Sequence, residues 1–392
     1  MRVKGWKFLL TAVLALAALA ALAFVLYLIF MRSDSTGRYT VYVGGYGASA
    51  VKFTFNPKTS DYGIIRDFKA DNPSYLALSA SSDRLYGVSE SGSSSGVWGY
   101  ENSSLDKPLG RVKDGGQDPC HIICFKGHLF ASNYGKGGIS VYPLDTAGNI
   151  KAPQQILNFV SARRSKAVSR IHMARVVTGK KSKNDYILAT DKGLDRIHIM
   201  RIGEDTLSKD SDNYLNKKAL RLYRCDSAFV STPEGYGPRH LDISKDGKYL
   251  YLLCETSGHI LVYSIRESDN NILLKQLQDT ICDTEGMGAS ADIHISPDGR
   301  FLYASNRRGK DGIAIFRIGE DGLVTRFAYQ VTRQWPRSFA ITPDGDFMFV
   351  CCQKDKTVQI FRIDQTSGYL INTGKEITFP DLEPSCVIVR NS

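Results

Sequence analysis

The chain holds eight cysteines in 392 residues, and no two of them form a C-x-x-C pair. Cys120 and Cys124 enclose His121, but a structural zinc site needs a second ligand pair, and none follows. These residues read as buried thiols in a strand. No metal or cofactor is expected. Helical periodicity is also missing beyond residue 33, which leaves strands to build the body of the protein. Charge is sparse: 23% of residues are charged and 43% apolar, which excludes a disordered or collagen-like chain. Acidic residues are absent from 163–183, where Arg163, Arg164, Lys166, Arg170, Arg175, Lys180, Lys181 and Lys183 fall. Arg2, Lys4, Lys7 and Arg32 add four more cations near the N-terminus. Together these twelve exceed the whole net charge of +10, so the remainder is slightly acidic. A general nucleic-acid binder spreads its positive surface more widely, so no nucleic-acid partner is expected.

Charge is wholly absent from residues 8–31. As a helix of about 1.5 Å per residue this run would span roughly 36 Å, more than a hydrocarbon core of about 30 Å. It is too long for the h-region of a cleaved signal peptide, about 7–15 residues. The expectation is a single-pass anchor over residues 1–32 and a second unit over 33–392. Three cations precede the run, against Arg32 and Arg38 offset by Asp34 after it. That balance places the N-terminus in the cytoplasm and the larger unit on the non-cytoplasmic side, with the cytoplasmic face as the alternative.

What the larger unit does contain is repetition. Three segments match closely: Arg239-His240-Leu241-Asp242-Ile243-Ser244-Lys245-Asp246-Gly247-Lys248-Tyr249-Leu250-Tyr251, then 291–303, then 337–349. Each alternates, turns at Asp-Gly and alternates again, the pattern of a β-hairpin. Weaker copies surround Leu85-Tyr86, Leu129-Phe130 and Ile187-Leu188, and Val41-Tyr42-Val43 supplies a second strand without a first. Anchors at Tyr42, Tyr86, Phe130, Ile187, Tyr251, Tyr303 and Phe349 lie 44, 44, 57, 64, 52 and 46 residues apart. Seven four-stranded repeats near this length predict an all-β, seven-bladed propeller. The long spacings place insertions at about 151–170 and 206–235. The terminal Pro384-Ser385-Cys386-Val387-Ile388-Val389 is a first strand lacking a second, so the two ends should complete one blade.

Repeat register also selects a ring near the axis. Four residues past each anchor stand Tyr46, Glu90, Tyr134, Asp191, Glu255, Arg307 and Gln353. At the start of each first strand stand Ser74, Cys120, His172, Arg239, Ala291, Arg337 and Ser385. Antiparallel pairing brings both sets to one face. A structural ring would repeat one residue type, so this mixture of acids, arginines and a histidine points to an asymmetric pocket for an anionic or polyoxygenated ligand.

These residues are where the chain resembles the lactonase family of seven-bladed propellers, which includes propeller-type 6-phosphogluconolactonases and the fungal carboxymuconate lactonising enzyme. The motifs are Gly237-Pro238-Arg239-His240, Leu252-Leu253-Cys254-Glu255, Ala291-Asp292-Ile293-His294-Ile295-Ser296-Pro297-Asp298-Gly299-Arg300, Ser305-Asn306-Arg307 and Asp191-Lys192-Gly193-Leu194-Asp195-Arg196, with Asn133-Tyr134-Gly135 and Asn72-Pro73-Ser74-Tyr75-Leu76. The resemblance implies hydrolysis of a sugar δ-lactone, with 6-phosphogluconolactone as the family's named substrate. It also implies a constellation of His172, Arg239, Glu255 and Arg307, all four already in the ring. Glu90, Tyr134, Asp191, Arg337 and Gln353 are expected to bind substrate, with His240, Asp292 and His294 supporting them from behind. Two alternatives stand beside hydrolysis: cycloisomerase-like chemistry on a carboxylated substrate, and a non-enzymatic binding propeller at the cell envelope. Gly92-Ser93-Ser94-Ser95-Gly96 matches G-x-S-x-G, but a nucleophile elbow needs strand, turn and helix, and no helix follows.

Overall fold

Asp-Gly turns set the hairpins. Asp298 Oδ1 accepts from Ser296 Oγ at 2.6 Å and from the Arg300 amide at 3.1 Å, and Gly299 takes a φ of 80°. The pairs Ser244–Asp246 and Thr342–Asp344 repeat this contact at 2.7 Å each. A side chain that closes the turn locally leaves the flanking alternating segments free to pair.

The computed structural model describes residues 39–392 apart from 64, 115–116, 160–166, 181–183, 206–218, 269–270 and 283–287. The apolar run at 8–31 and most of the basic stretch at 163–166 and 181–183 lie outside the described residues. Among the described residues no helix is long and apolar enough to cross a membrane.

Seven antiparallel sheets result. The first blade joins Leu382–Asn391 to Tyr39–Gly47 and Ser49–Asn56, with the short strands Asp61–Tyr62 and Arg66–Lys69 outside them. The other six are four-stranded, and their second strands are Arg84–Ser89, His128–Asn133, Asp185–Asp191, Tyr249–Cys254, Phe301–Asn306 and Phe347–Cys352. In the closing pair Val387 lies opposite Val43, Ile388 opposite Tyr42 and Val389 opposite Val41. The region 206–235 is not all insertion, because Ala219–Ser231 forms the outer strand of the fourth blade. The segment Gly92-Ser93-Ser94 is a single 3₁₀ turn between two strands of the second blade.

The core lies between blades. Tyr39, Val41, Val43, Phe53 and Phe55 of the first pack on Phe347, Phe349, Val358 and Ile360 of the seventh. All seven anchors are fully buried. Four of them carry a hydroxyl, and each hydroxyl reaches the next blade. Tyr86, Tyr251 and Tyr303 donate to the carbonyls of Gly148, Gly322 and Gly368 at 2.9, 3.0 and 3.0 Å, and Tyr42 donates to Asn102 Oδ1 at 2.6 Å. The glycine at such a latch is required twice over. Gly322 has a φ of 78°, and a Cβ there would stand 2.4 Å from the Tyr249 ring.

Every second strand runs from its turn towards one common face, the mouth. Tyr39 therefore sits at the opposite face, where its hydroxyl touches Asp344 of the seventh blade's turn. The C-terminus ends beside it, with Ser392 Oγ 2.9 Å from Thr40 Oγ1.

Candidate active site

First strands begin at the mouth, and six of them begin with a β-bulge; that of the sixth blade sets Ala291 and Asp292 against Ser305, and the other five each leave one residue unpaired. The extra, unpaired residue is Cys120, His172, Arg239, Arg337 or Ser385, each a member of the sequence ring. A bulge puts two residues against one and re-aims a side chain. Four of these side chains therefore turn inwards to line the pocket, and ring neighbours meet across blades. Ser385 Oγ donates to the Ser74 carbonyl at 2.9 Å, and the Arg239 guanidinium donates to the Ala291 carbonyl.

The axial cavity is about 210 Å³ and is lined by Glu90, Cys120, Tyr134, His172, Lys192, Arg239, Glu255, Arg307 and Arg337. Glu255 sits among three cations. Its Oε1 is 3.1 Å from Arg307 Nη2 and 3.1 Å from Lys192 Nζ, and its Oε2 is 3.2 Å from Arg239 Nε. The last contact is an ion pair without hydrogen-bond alignment, so that buried N–H has no hydrogen-bond partner among the described residues. Burial works to raise the Glu255 pKa, but Arg239, Arg307 and Lys192 outweigh it and hold the carboxyl at about 2. Arg307 is pushed down to about 9 by burial and by the Arg239 charge. Opposite, Arg337 Nη2 donates to Tyr46 Oη at 2.9 Å, and that hydroxyl donates to Glu90 Oε2 at 2.9 Å.

His172 is buried, with its ring edge-on to Tyr134 at 5.8 Å and to His240 at 5.1 Å. Burial, then the charges of Arg239, His240, Arg337 and Lys192, hold it well below the usual imidazole range. At neutral pH it is an unprotonated base in a cationic cavity. Below it, His240 Nδ1 meets Asp292 Oδ1 at 2.7 Å, and Asp292 Oδ2 meets His294 Nε2 at 3.3 Å.

The pocket thus gathers His172, Arg239, Glu255, Arg307, Glu90, Tyr134 and Arg337. Asp191 and Gln353 do not line it. Asp191 is fully buried, and its carboxylate accepts from Ser169 Oγ at 2.6 Å and from the amides of Arg170, Gly193 and Leu194 at 2.8, 3.1 and 3.0 Å. That Asx turn carries Lys192 into the pocket in its place. Gln353 Nε2 donates instead to Glu383 Oε2 at 3.0 Å. Sequence reasoning passed over Lys192, although the turn signal was present in Asp191-Lys192-Gly193.

Four cations, two carboxylates and one neutral imidazole meet at the axis of a seven-bladed propeller, a pocket of net positive charge with an unprotonated base in its wall. The chain belongs to the family described as "Lactonase, 7-bladed beta-propeller", whose pattern matches residues 40–389. It is accordingly a hydrolase of lactone esters. A curated relative from Formosa agariphila, a 6-phosphogluconolactonase, is 30% identical over 341 residues, covering 83% of this chain and 91% of that protein. The Bacillus subtilis 6-phosphogluconolactonase is 24% identical over 367 residues, 89% of this chain and 98% of that one. The crystal structure of a candidate 6-phosphogluconolactonase from Bacteroides fragilis aligns with a TM-score of 0.81 at 31% identity, covering 91% of this chain and 98% of that one.

Proposed function

We propose that the protein hydrolyses 6-phospho-D-glucono-1,5-lactone to 6-phosphogluconate, with His172 as the base. The observation that carries this reading is the excess of cations around a neutral imidazole. Water beside His172 gives up a proton to the ring as its oxygen attacks the lactone carbonyl. Arg307 and Arg239 face the charge that develops on the carbonyl oxygen. The C1–O5 bond then breaks, and the proton held on His172 passes to the departing O5. Glu255, ionised even in mild acid, is a poor proton acceptor and serves to hold the two guanidinium groups. Purified full-length protein should open phosphorylated or plain δ-gluconolactone well above the uncatalysed rate. Equal rates with and without protein would return the chain to the binding-propeller reading.

The run at residues 8–31 is proposed as an uncleaved anchor. The Lys/Arg balance favours the non-cytoplasmic side for the propeller, where a plain lactone would be the substrate. Sugar phosphates are cytosolic, so the phosphorylated substrate proposed above calls for the alternative, a propeller on the cytoplasmic face. Protease added to intact spheroplasts removes the propeller in the first case and spares it in the second.

A further inference from the structure

A second cavity, of about 450 Å³, opens at the mouth between the sixth and seventh blades. Its floor is Trp335, and its rim carries Arg308, Lys310 and Lys354. Lys354 Nζ stands 4.0 Å from the indole centroid and the Arg308 guanidinium 6.0 Å from it, while Lys310 Nζ lies 5.6 Å over the Tyr329 ring. All three cations rest on aromatic faces, and none makes a salt bridge or side-chain hydrogen bond with a described residue. The one carboxylate of the lining, Asp311, has its Oδ2 on the Trp335 amide at 2.6 Å.

The backbone here is strained as well. Arg308 and Trp335 take φ values of 66° and 65°, a region that non-glycine residues enter at a cost. Trp335 is pinned there from both sides, by Asp311 at its amide and by the Gln353 amide, which donates to its carbonyl at 3.0 Å. A rigid aromatic platform ringed by cations that no protein anion satisfies is organised for an anion from outside.

Arg307 stands between this cavity and the axial pocket. It contacts Glu255 at 3.1 Å, and its guanidinium lies 5.4 Å from the Trp335 ring. We propose that the second cavity is the subsite for the phosphate of a phosphorylated lactone, so that ligand in the axial pocket extends past Arg307 to Arg308, Lys310 and Lys354. This rests on the lactonase reading above and adds the group that discriminates phosphorylated from plain substrate.

The test compares 6-phosphogluconolactone with δ-gluconolactone on the full-length enzyme and on the double variant Arg308→Gln, Lys354→Gln. Charge-assisted hydrogen bonds are the stronger kind, so the ratio of the two kcat/KM values should fall about tenfold or more. Lys354→Arg, which keeps the charge, should retain most of the preference. Calorimetric binding of the two products, 6-phosphogluconate and gluconate, reads the subsite without hydrolysis. The parent should bind the phosphorylated acid more tightly, and the double variant should lose that difference. If the parent turns over neither lactone yet shows this binding difference and its loss, the hydrolysis reading fails and the subsite stands. An unchanged ratio or an unchanged binding difference in a double variant that melts like the parent overturns the subsite and leaves three solvated surface cations.

Discussion

Two positions four residues apart on each second strand behave in opposite ways. The anchors read Tyr, Tyr, Phe, Ile, Tyr, Tyr and Phe around the propeller, all buried between blades. The mouth positions read Tyr, Glu, Tyr, Asp, Glu, Arg and Gln, and no type dominates. An anchor meets the same environment in every blade, a neighbouring sheet, and one solution serves seven times. A mouth position meets the axis, where six of the seven blades contribute different residues to one asymmetric pocket. Repetition marks the fold, and its breakdown along the same strand marks the chemistry.

The largest effect should come from destroying the ring that both positions depend on. Deleting 384–392 removes the inner strand of the first blade and exposes the edge of Tyr39–Gly47. Calorimetry should show no cooperative transition, and a normal one would refute closure by the two termini. His172→Ala should lower kcat about 10²–10⁴-fold, the usual worth of a general base, while the melting temperature holds. The pH profile sharpens the same point. Because the folded His172 pKa lies below 6.5, the base form persists above that pH, and the rate should fall only in more acid solution. A fall centred near 6.5 would assign the titration to another group.

Changes on the anchor side should do the reverse. Gly322→Ala forces a side chain into a left-handed backbone and against Tyr249, at about 2–4 kcal/mol. Denaturant titration should show that loss with kcat intact. Tyr251→Phe removes one latch and leaves the Gly322 carbonyl bare, at about 1–2 kcal/mol. The same change has no counterpart at Phe130 or Phe349, which lack the hydroxyl. A substantial loss of activity in folded Tyr251→Phe would blur the division drawn here.

Much of this architecture was legible because it is periodic. Asp246-Gly247, Asp298-Gly299 and Asp344-Gly345 declare hairpins, and the unmatched strands at the two ends declare their pairing. The ring followed from register alone and recovered His172, Arg239, Glu255 and Arg307 together. What register does not transmit is a shift of one residue, which turns a side chain to the other face. At Asp191 the Asx turn made that shift, burying the aspartate and presenting Lys192. The bulges did so at Arg239 and Arg337, and there a signal existed. Pro238 and Pro336 precede them, as Pro119 and Pro384 precede Cys120 and Ser385, and proline in a sheet favours such irregular or terminal positions. The tyrosine latches and the Trp335 cavity join residues about 20 to 70 positions apart with no repeated spacing, so only the folded chain displays them.

Tyr39, where the described structure begins, sits beside the Asp344 turn on the face opposite the mouth. A support fastened at Tyr39 would therefore lie on the face opposite the mouth. Substrate would then reach the mouth from open solution and product would leave the same way, with no crevice between protein and support to cross.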